Sequence, residues 1–215
     1  MAENTFNRIT IQSLSEESFI YGLRVLANRD DDLANIVETL GKPPKWQREA
    51  GFPTLIQLIL EQQVSLAAAK AVFERLCRAV KLLTPKNFLT LEDNQLKAIG
   101  FSRQKTRYGR TLADAIASGE LDLDQLNQLD DAKIKTKLKQ IKGIGDWTAD
   151  NYMLMALQRQ NVFPKGDLAL AIAVQKVKKL PTRPKPKELE AIAENWHPWR
   201  SIAARILWHY YLNSK

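Results

Sequence analysis

The sequence predicts an all-α fold, built from many short helices joined by short loops. Three observations predict it. Hydrophobic residues recur at three- and four-residue spacing almost throughout. Residues that start helices and residues that stop them punctuate this pattern at short intervals. No period-two alternation is long enough for a strand, and the short stretch Arg8–Gln12 is the one candidate.

Taken in order, Phe19, Ile20, Leu23, Leu26 and Ala27 share one face of a helix over Ser15–Ala27. Leu33, Ile36, Val37 and Leu40 repeat the pattern over Asp30–Leu40, which stops at Gly41-Lys42-Pro43-Pro44. Pro53 opens a helix running to about Gln62 from its favoured first-turn position. Ser65 caps Leu66–Lys81. Short helices follow at Pro85–Leu89 and Asp93–Ala98, the second stopped by Gly100. Ser102 caps Arg103–Ala117, which ends at Gly119. Asp122–Leu126, Asp130–Gln140, Asp146–Gln158 and Asp167–Lys179 come next. The stiff segment Pro181–Pro186 leads to Lys187–Trp196 and Trp199–Asn213. The order suggests two helical lobes flanking a cleft. One covers about 39–158, and the other joins about 1–38 to 159–215.

Composition narrows the function classes. A chain of 215 residues, 45% hydrophobic and 26% charged, reads as an ordinary soluble unit. No apolar run approaches the roughly 18 residues of a membrane span. Met1–Arg8 lacks a basic segment followed by an apolar one, so no signal peptide is read and the cytoplasm is the expected compartment. Cys77 is the single cysteine, and His197 and His209 are the only histidines. They exclude an intramolecular disulfide, a cysteine-held iron–sulfur cluster and a three-histidine metal site, so no metal held by side chains is expected.

Net charge is +8 and the pI is about 9.5, a balance that favours polyanionic partners. Lys133–Lys142 holds five lysines and no acid, Leu168–Lys187 six basic residues and no acid, and Lys97–Ala113 five basic residues and no acid. The first two runs lie on either side of Ile141-Lys142-Gly143-Ile144-Gly145 and of Asp167. In that segment two glycines bracket one apolar residue between two helices. Glycine leaves the backbone amides unobstructed, and Ile144 can plug the turn into the core. The second helix then begins with unpaired N–H groups, which bind an anion such as a phosphate without reading sequence.

Ile141–Ala149, followed by Val162-Phe163-Pro164-Lys165-Gly166-Asp167, resembles the helix–hairpin–helix DNA glycosylase superfamily, and within it the 3-methyladenine DNA glycosylase II branch. Ile59-Leu60-Glu61-Gln62-Gln63-Val64-Ser65 is similar to the family's Gln-Gln-x-Ser segment. Ala98-Ile99-Gly100-Phe101-Ser102-Arg103-Gln104-Lys105 is similar to its glycine-then-lysine helix start. Trp196-His197-Pro198-Trp199-Arg200-Ser201, continuing to Leu207-Trp208, is similar to its C-terminal signature. The resemblance covers about residues 50–212 in the family's order.

The resemblance implies a monomeric enzyme acting on double-stranded DNA without an organic cofactor. It excises alkylated purines and places the catalytic carboxylate on Asp167. Cleaving an N-glycosidic bond develops positive charge on the sugar, which one carboxylate can stabilise while it guides a water to C1′. A helix N-terminus also favours negative charge there. Members that cut the strand carry a lysine where this sequence has Trp147, so a monofunctional enzyme leaving an abasic site is implied. Trp147 and Trp208, with Tyr152 as a weaker candidate, fall on or beside pocket-lining positions. An electron-rich pocket suits a cationic alkylpurine. Asn151 stands where the family's pocket tyrosine aligns, and Leu168 where some members carry a second one. The base must leave the duplex to be cut. Gln63 falls where the family's intercalating side chain sits, while Ser65, Lys142, Gly143, Ile144, Gly145 and Thr148 fall on the DNA-facing segments. The family's hairpin commonly holds a monovalent or alkaline-earth cation through backbone carbonyls, here at 140–145. Two other readings remain open from sequence. One is a glycosylase for deaminated or other damaged bases; the other is a non-catalytic DNA-binding module. Asp167 argues against the second, because a pure binder gains nothing from a carboxylate beside phosphates.

Overall fold

The computed structural model describes residues 13–214, and their caps explain most helix boundaries. Ser15 opens α1 (Glu16–Arg29) by accepting from the Ser18 N–H at 3.1 Å. Asp30 ends α1 and caps α2 (Asp31–Leu40) through the N–H groups of Asp32 and Leu33. Pro53 lies in the first turn of α3 (Phe52–Glu61), and Ser65 caps α4 (Leu66–Ala79). Then come α5 (Pro85–Leu89) and α6 (Asp93–Ile99), which ends at Gly100 with φ +113°. Ser102 caps α7 (Arg103–Ala117), Asp122 caps α8 (Leu123–Leu126) and Asp130 caps α9 (Asp131–Gln140). After α10 (Asp146–Met155), Asp167 caps α11 (Leu168–Val177). The chain closes with α12 (Pro186–Ala193), a 3-10 turn at Glu194–Trp196, and α13 (Arg200–Asn213).

Two helices are buried almost all round, as the centre of a helical assembly requires. In α3, Phe52, Leu55, Ile56, Leu58, Ile59 and Leu60 are all buried. In α13, every residue from Ser201 to Trp208 is buried. The helix α3 packs against α4, α7 and α10, and α13 packs against α1, α2 and α11. Each fully buried leucine or isoleucine contributes about 1.5–3 kcal/mol of transfer free energy. Arg205 joins the two groups. It is fully buried on α13 and donates to Leu154 O and Gln158 Oε1 at the end of α10, and to Lys45 O between α2 and α3.

Two helix ends fall three residues short of the periodicity. The helix expected to reach Gln158 stops at Met155, because Gln158 turns left-handed (φ +53°) and its amide donates to the Leu154 and Met155 carbonyls. Arg159 then forms an isolated antiparallel bridge with Ser13. The helix expected over Lys187–Trp196 tightens after Ala193 into the 3-10 turn. The strand candidate Arg8–Gln12 lies outside the described residues.

Candidate active site and DNA-facing hairpin

The hairpin between α9 and α10 gives its two glycines different roles. Gly143 has φ +103°, and a Cβ there would stand 2.3 Å from Tyr108 Cγ. Conformation and packing both demand glycine. Gly145 is extended (φ −96°) with open space around its Cα, so neither explains its lack of a side chain. Ile144 is buried and closes the turn by donating its N–H to Ile141 O at 3.0 Å. No side chain caps α10, and its first N–H groups have no hydrogen-bond partner among the described residues.

The neighbouring lysines are less free than their number suggests. Lys139 reaches Asp146 at 2.9 Å, Lys135 reaches the buried Asp150 at 2.6 Å, and Lys133 reaches Asp130 at 2.9 Å. The bond from Lys139 holds the Asp146 carboxyl below the usual carboxylate range. Lys137 and Lys142, both exposed, have no ion-pair partner among the described residues.

Opposite the hairpin, the α3–α4 turn presents Gln63. It is exposed and left-handed, with φ +58°. For a residue other than glycine this conformation costs about 1–2 kcal/mol, and it persists only where neighbours enforce it. Lys105 of α7 donates to Leu60 O at 2.6 Å, and Arg48 pairs with the buried Glu61 at 2.8 Å. Gln62 bridges to the hairpin, donating to Gly143 O at 2.9 Å and to Thr148 Oγ1 at 2.8 Å. Ser65 is exposed and caps α4 through Ala68 N–H.

Asp167 caps α11, and three donors orient its carboxylate. Leu170 N–H (3.0 Å) and Trp208 Nε1 (3.2 Å) bind Oδ1, while Trp147 Nε1 (2.9 Å) binds Oδ2. Trp147 comes from α10, Asp167 from α11 and Trp208 from α13, so three separate elements converge on one carboxylate. Ser201 helps bring them together. Buried on α13, it donates to Arg159 O at 2.6 Å and accepts from Val162 N–H at 3.0 Å, which pins the loop that delivers Asp167. Arg200 holds the same loop through Asn161 Oδ1 at 2.8 Å. Leu168, beside Asp167, is exposed.

Two expected site residues lie elsewhere. Tyr152 is fully buried, and its hydroxyl accepts from Gly51 N–H at 3.0 Å, at the start of α3. Burial pushes this phenol up to about 12. It is a core residue. Its neighbour Asn151 is also buried and donates to Trp147 O, so no α10 side chain at either position replaces the family's tyrosine. Thr148 is buried beneath the hairpin and its side chain is bonded to Gln62, so that side chain supports the turn.

Spacing gave no hint of two further aromatics. Tyr108 of α7 fills the space above Gly143 and is bonded by Gln104 at 2.7 Å. Trp46, before α3, stands edge-on to Trp208 at 6.1 Å between ring centroids. Two recesses against α9, of about 500 and 190 Å³, include none of Asp167, Trp147 and Trp208. The carboxylate is therefore assigned by its donors and not by concavity.

The chain is similar to known proteins. Residues 56–198 match the HhH-GPD superfamily of base excision DNA repair proteins. A Bacillus subtilis relative is 30% identical over 73% of this chain, which spans 58% of that protein's length. DNA-3-methyladenine glycosylase 1 of Schizosaccharomyces pombe is 27% identical, over 85% of this chain and 83% of the relative. The solved structure of the S. pombe 3-methyladenine DNA glycosylase with abasic DNA superposes with a TM-score of 0.83. It covers 87% of this chain and 95% of that one at 27% identity. A Bacillus halodurans DNA-3-methyladenine glycosidase structure gives 0.76 over 94% of both chains, also at 27% identity. With the match spanning residues 56–198, this protein belongs to the HhH-GPD superfamily of base excision DNA repair proteins.

Proposed function

We propose that the chain is a monofunctional DNA glycosylase. In this reading it flips alkylated purines of the 3-methyladenine and 7-methylguanine type out of duplex DNA and hydrolyses their N-glycosidic bonds. One observation carries it. The partly exposed Asp167 carboxylate is oriented by Trp147 and Trp208, two electron-rich rings at the same point. The carboxylate stabilises the sugar as positive charge develops and directs a water to C1′. The tryptophans favour a base that already carries positive charge and leaves readily.

The hairpin anchors a backbone phosphate through the N–H groups at the start of α10, with Lys142 beside it. Gln63 fills the gap left by the flipped base. The chain acts as a monomer, with the cleft between its lobes receiving the DNA. A lyase needs an amine at the sugar; Trp147 offers none, and Lys165 is engaged with Glu190 at 2.6 Å. The reading includes a monovalent or alkaline-earth cation on the hairpin. Within 140–145, the carbonyls of Ile141, Gly143 and Gly145 accept from Ile144 N–H, Gln62 and Ala149 N–H. Those of Gln140, Lys142 and Ile144 accept from no described residue, and their chemistry fits such an ion.

The test uses duplexes carrying 3-methyladenine, 7-methylguanine or hypoxanthine. The expected result is release of the alkylated bases, with an intact strand bearing an abasic site and no adduct trapped by borohydride. Release of hypoxanthine alone would move the assignment to deaminated bases. Binding without release of any base would make the chain a non-catalytic module, and a trapped adduct would make it a lyase.

A further inference from the structure

Trp46 lies in the connection between α2 and α3, in a stretch without helical periodicity. Its backbone is left-handed, with φ +44°. A bulky residue adopts that conformation only where its surroundings enforce it. Here they do so on both sides. Arg205 donates Nε to Lys45 O at 2.8 Å, and Arg48 N–H donates to Met155 O at 3.0 Å. Arg205 is fully buried, and its other bonds go to Ser201 O, Leu154 O and Gln158 Oε1, none of them a charged group. Burial holds its guanidinium down to about 10. A costly buried cation is thus used to clamp the residue before Trp46 onto α10 and α13.

The clamp brings the Trp46 ring to 6.1 Å from that of Trp208, at an interplanar angle of 87°. Trp208 in turn donates to Asp167. Trp46 remains partly exposed. Asn151 and Tyr152 are buried, and the exposed Leu168 is aliphatic.

We propose that Trp46 is a specificity-determining wall of the base pocket, contacting the flipped alkylated purine through the face of its ring. The proposal rests on the glycosylase reading above. A cationic purine gains cation–π attraction from such a face, whereas a neutral base gains stacking alone. Losing the ring should therefore cost cationic bases more.

The experiment compares wild type, Trp46→Phe and Trp46→Leu. It reads single-turnover release of 7-methylguanine and binding to three duplexes. These carry 2′-fluoro-7-methylguanine, which resists hydrolysis, ordinary guanine, or an abasic site. Trp46→Leu should slow release about 5- to 30-fold and lose the preference for the fluorinated lesion over guanine, while abasic-duplex affinity stays unchanged. Trp46→Phe, which keeps a ring face, should retain most of both. Unchanged release by Trp46→Leu would overturn the proposal. So would a parallel fall in release, abasic-duplex affinity and melting temperature in both variants, which marks a structural residue. If wild type neither releases 7-methylguanine nor prefers the lesion, the glycosylase reading fails together with the inference. If wild type does both and Trp46→Leu matches it, only the inference fails.

Discussion

Gly143 and Gly145 lie two residues apart, and only the first is required by the free protein. Alanine at 143 would need φ +103° and would collide with Tyr108, so Gly143→Ala should lose at least about 2 kcal/mol in thermal or urea unfolding. Alanine at 145 meets nothing, so Gly145→Ala should unfold within about 0.5 kcal/mol of wild type. Its methyl group would nonetheless adjoin the unpaired α10 amides, because Gly145 is the residue just before α10. DNA affinity should fall in a titration with a short duplex, and unchanged affinity would remove the hairpin from the interface. At this scale the sequence singled out three residues that the fold brings together. Asp167, Trp147 and Trp208 lie far apart in the chain yet share one carboxylate. Tyr152 and Thr148 could not be judged from sequence, because helical phase alone does not say which face of a helix buried on nearly every side meets an opening. Trp46 was invisible because its position depends on a left-handed residue and a buried arginine 159 positions away from it, neither of which leaves a periodic signal.

Among the elements, α2 shows how one side chain fixes several helices. The Asp30 carboxylate caps α2, pairs with Lys178 at 2.6 Å beyond α11, and accepts from Trp196 Nε1 at 2.8 Å. Burial alone would raise its pKa, but Lys178 and Trp196 outweigh burial and hold it below 3.8. A depressed carboxyl stabilises the fold above its ordinary pKa, and the contribution is lost as pH falls through the folded value. Asp30→Asn keeps the cap but removes the charge. It should lower stability by about 1–3 kcal/mol at neutral pH. The gap from wild type should narrow as pH drops through and below 3.8, followed by urea unfolding across that range. A gap constant with pH would contradict the ion pair. Helix starts were legible here because Ser, Asp and Pro mark them directly. Ends were less so: α10 stops at Met155 because the Gln158 side chain caps its carbonyls, an interaction that hydrophobic spacing does not encode.

For the whole molecule, the all-α architecture followed from periodicity, but the charge distribution required the fold. Of the five lysines in Lys133–Lys142, three are paired with acids and two are left to face an anion. The salt dependence of DNA binding should therefore be clear but moderate. Log affinity should fall linearly with log salt at about 0.9 per phosphate neutralised. Charge removal at Lys142 should reduce that slope by about one, and removal at Lys133 should leave it alone. A flat dependence would contradict a phosphate-facing hairpin. In the proposed mechanism Asp167 performs the chemistry and the hairpin positions the DNA. Single-turnover release of 7-methylguanine by Asp167→Asn tests it most directly, because asparagine preserves the α11 cap while removing the charge. The expected rate is at least about a hundredfold below wild type, with abasic-duplex affinity retained. Release at the wild-type rate would contradict it.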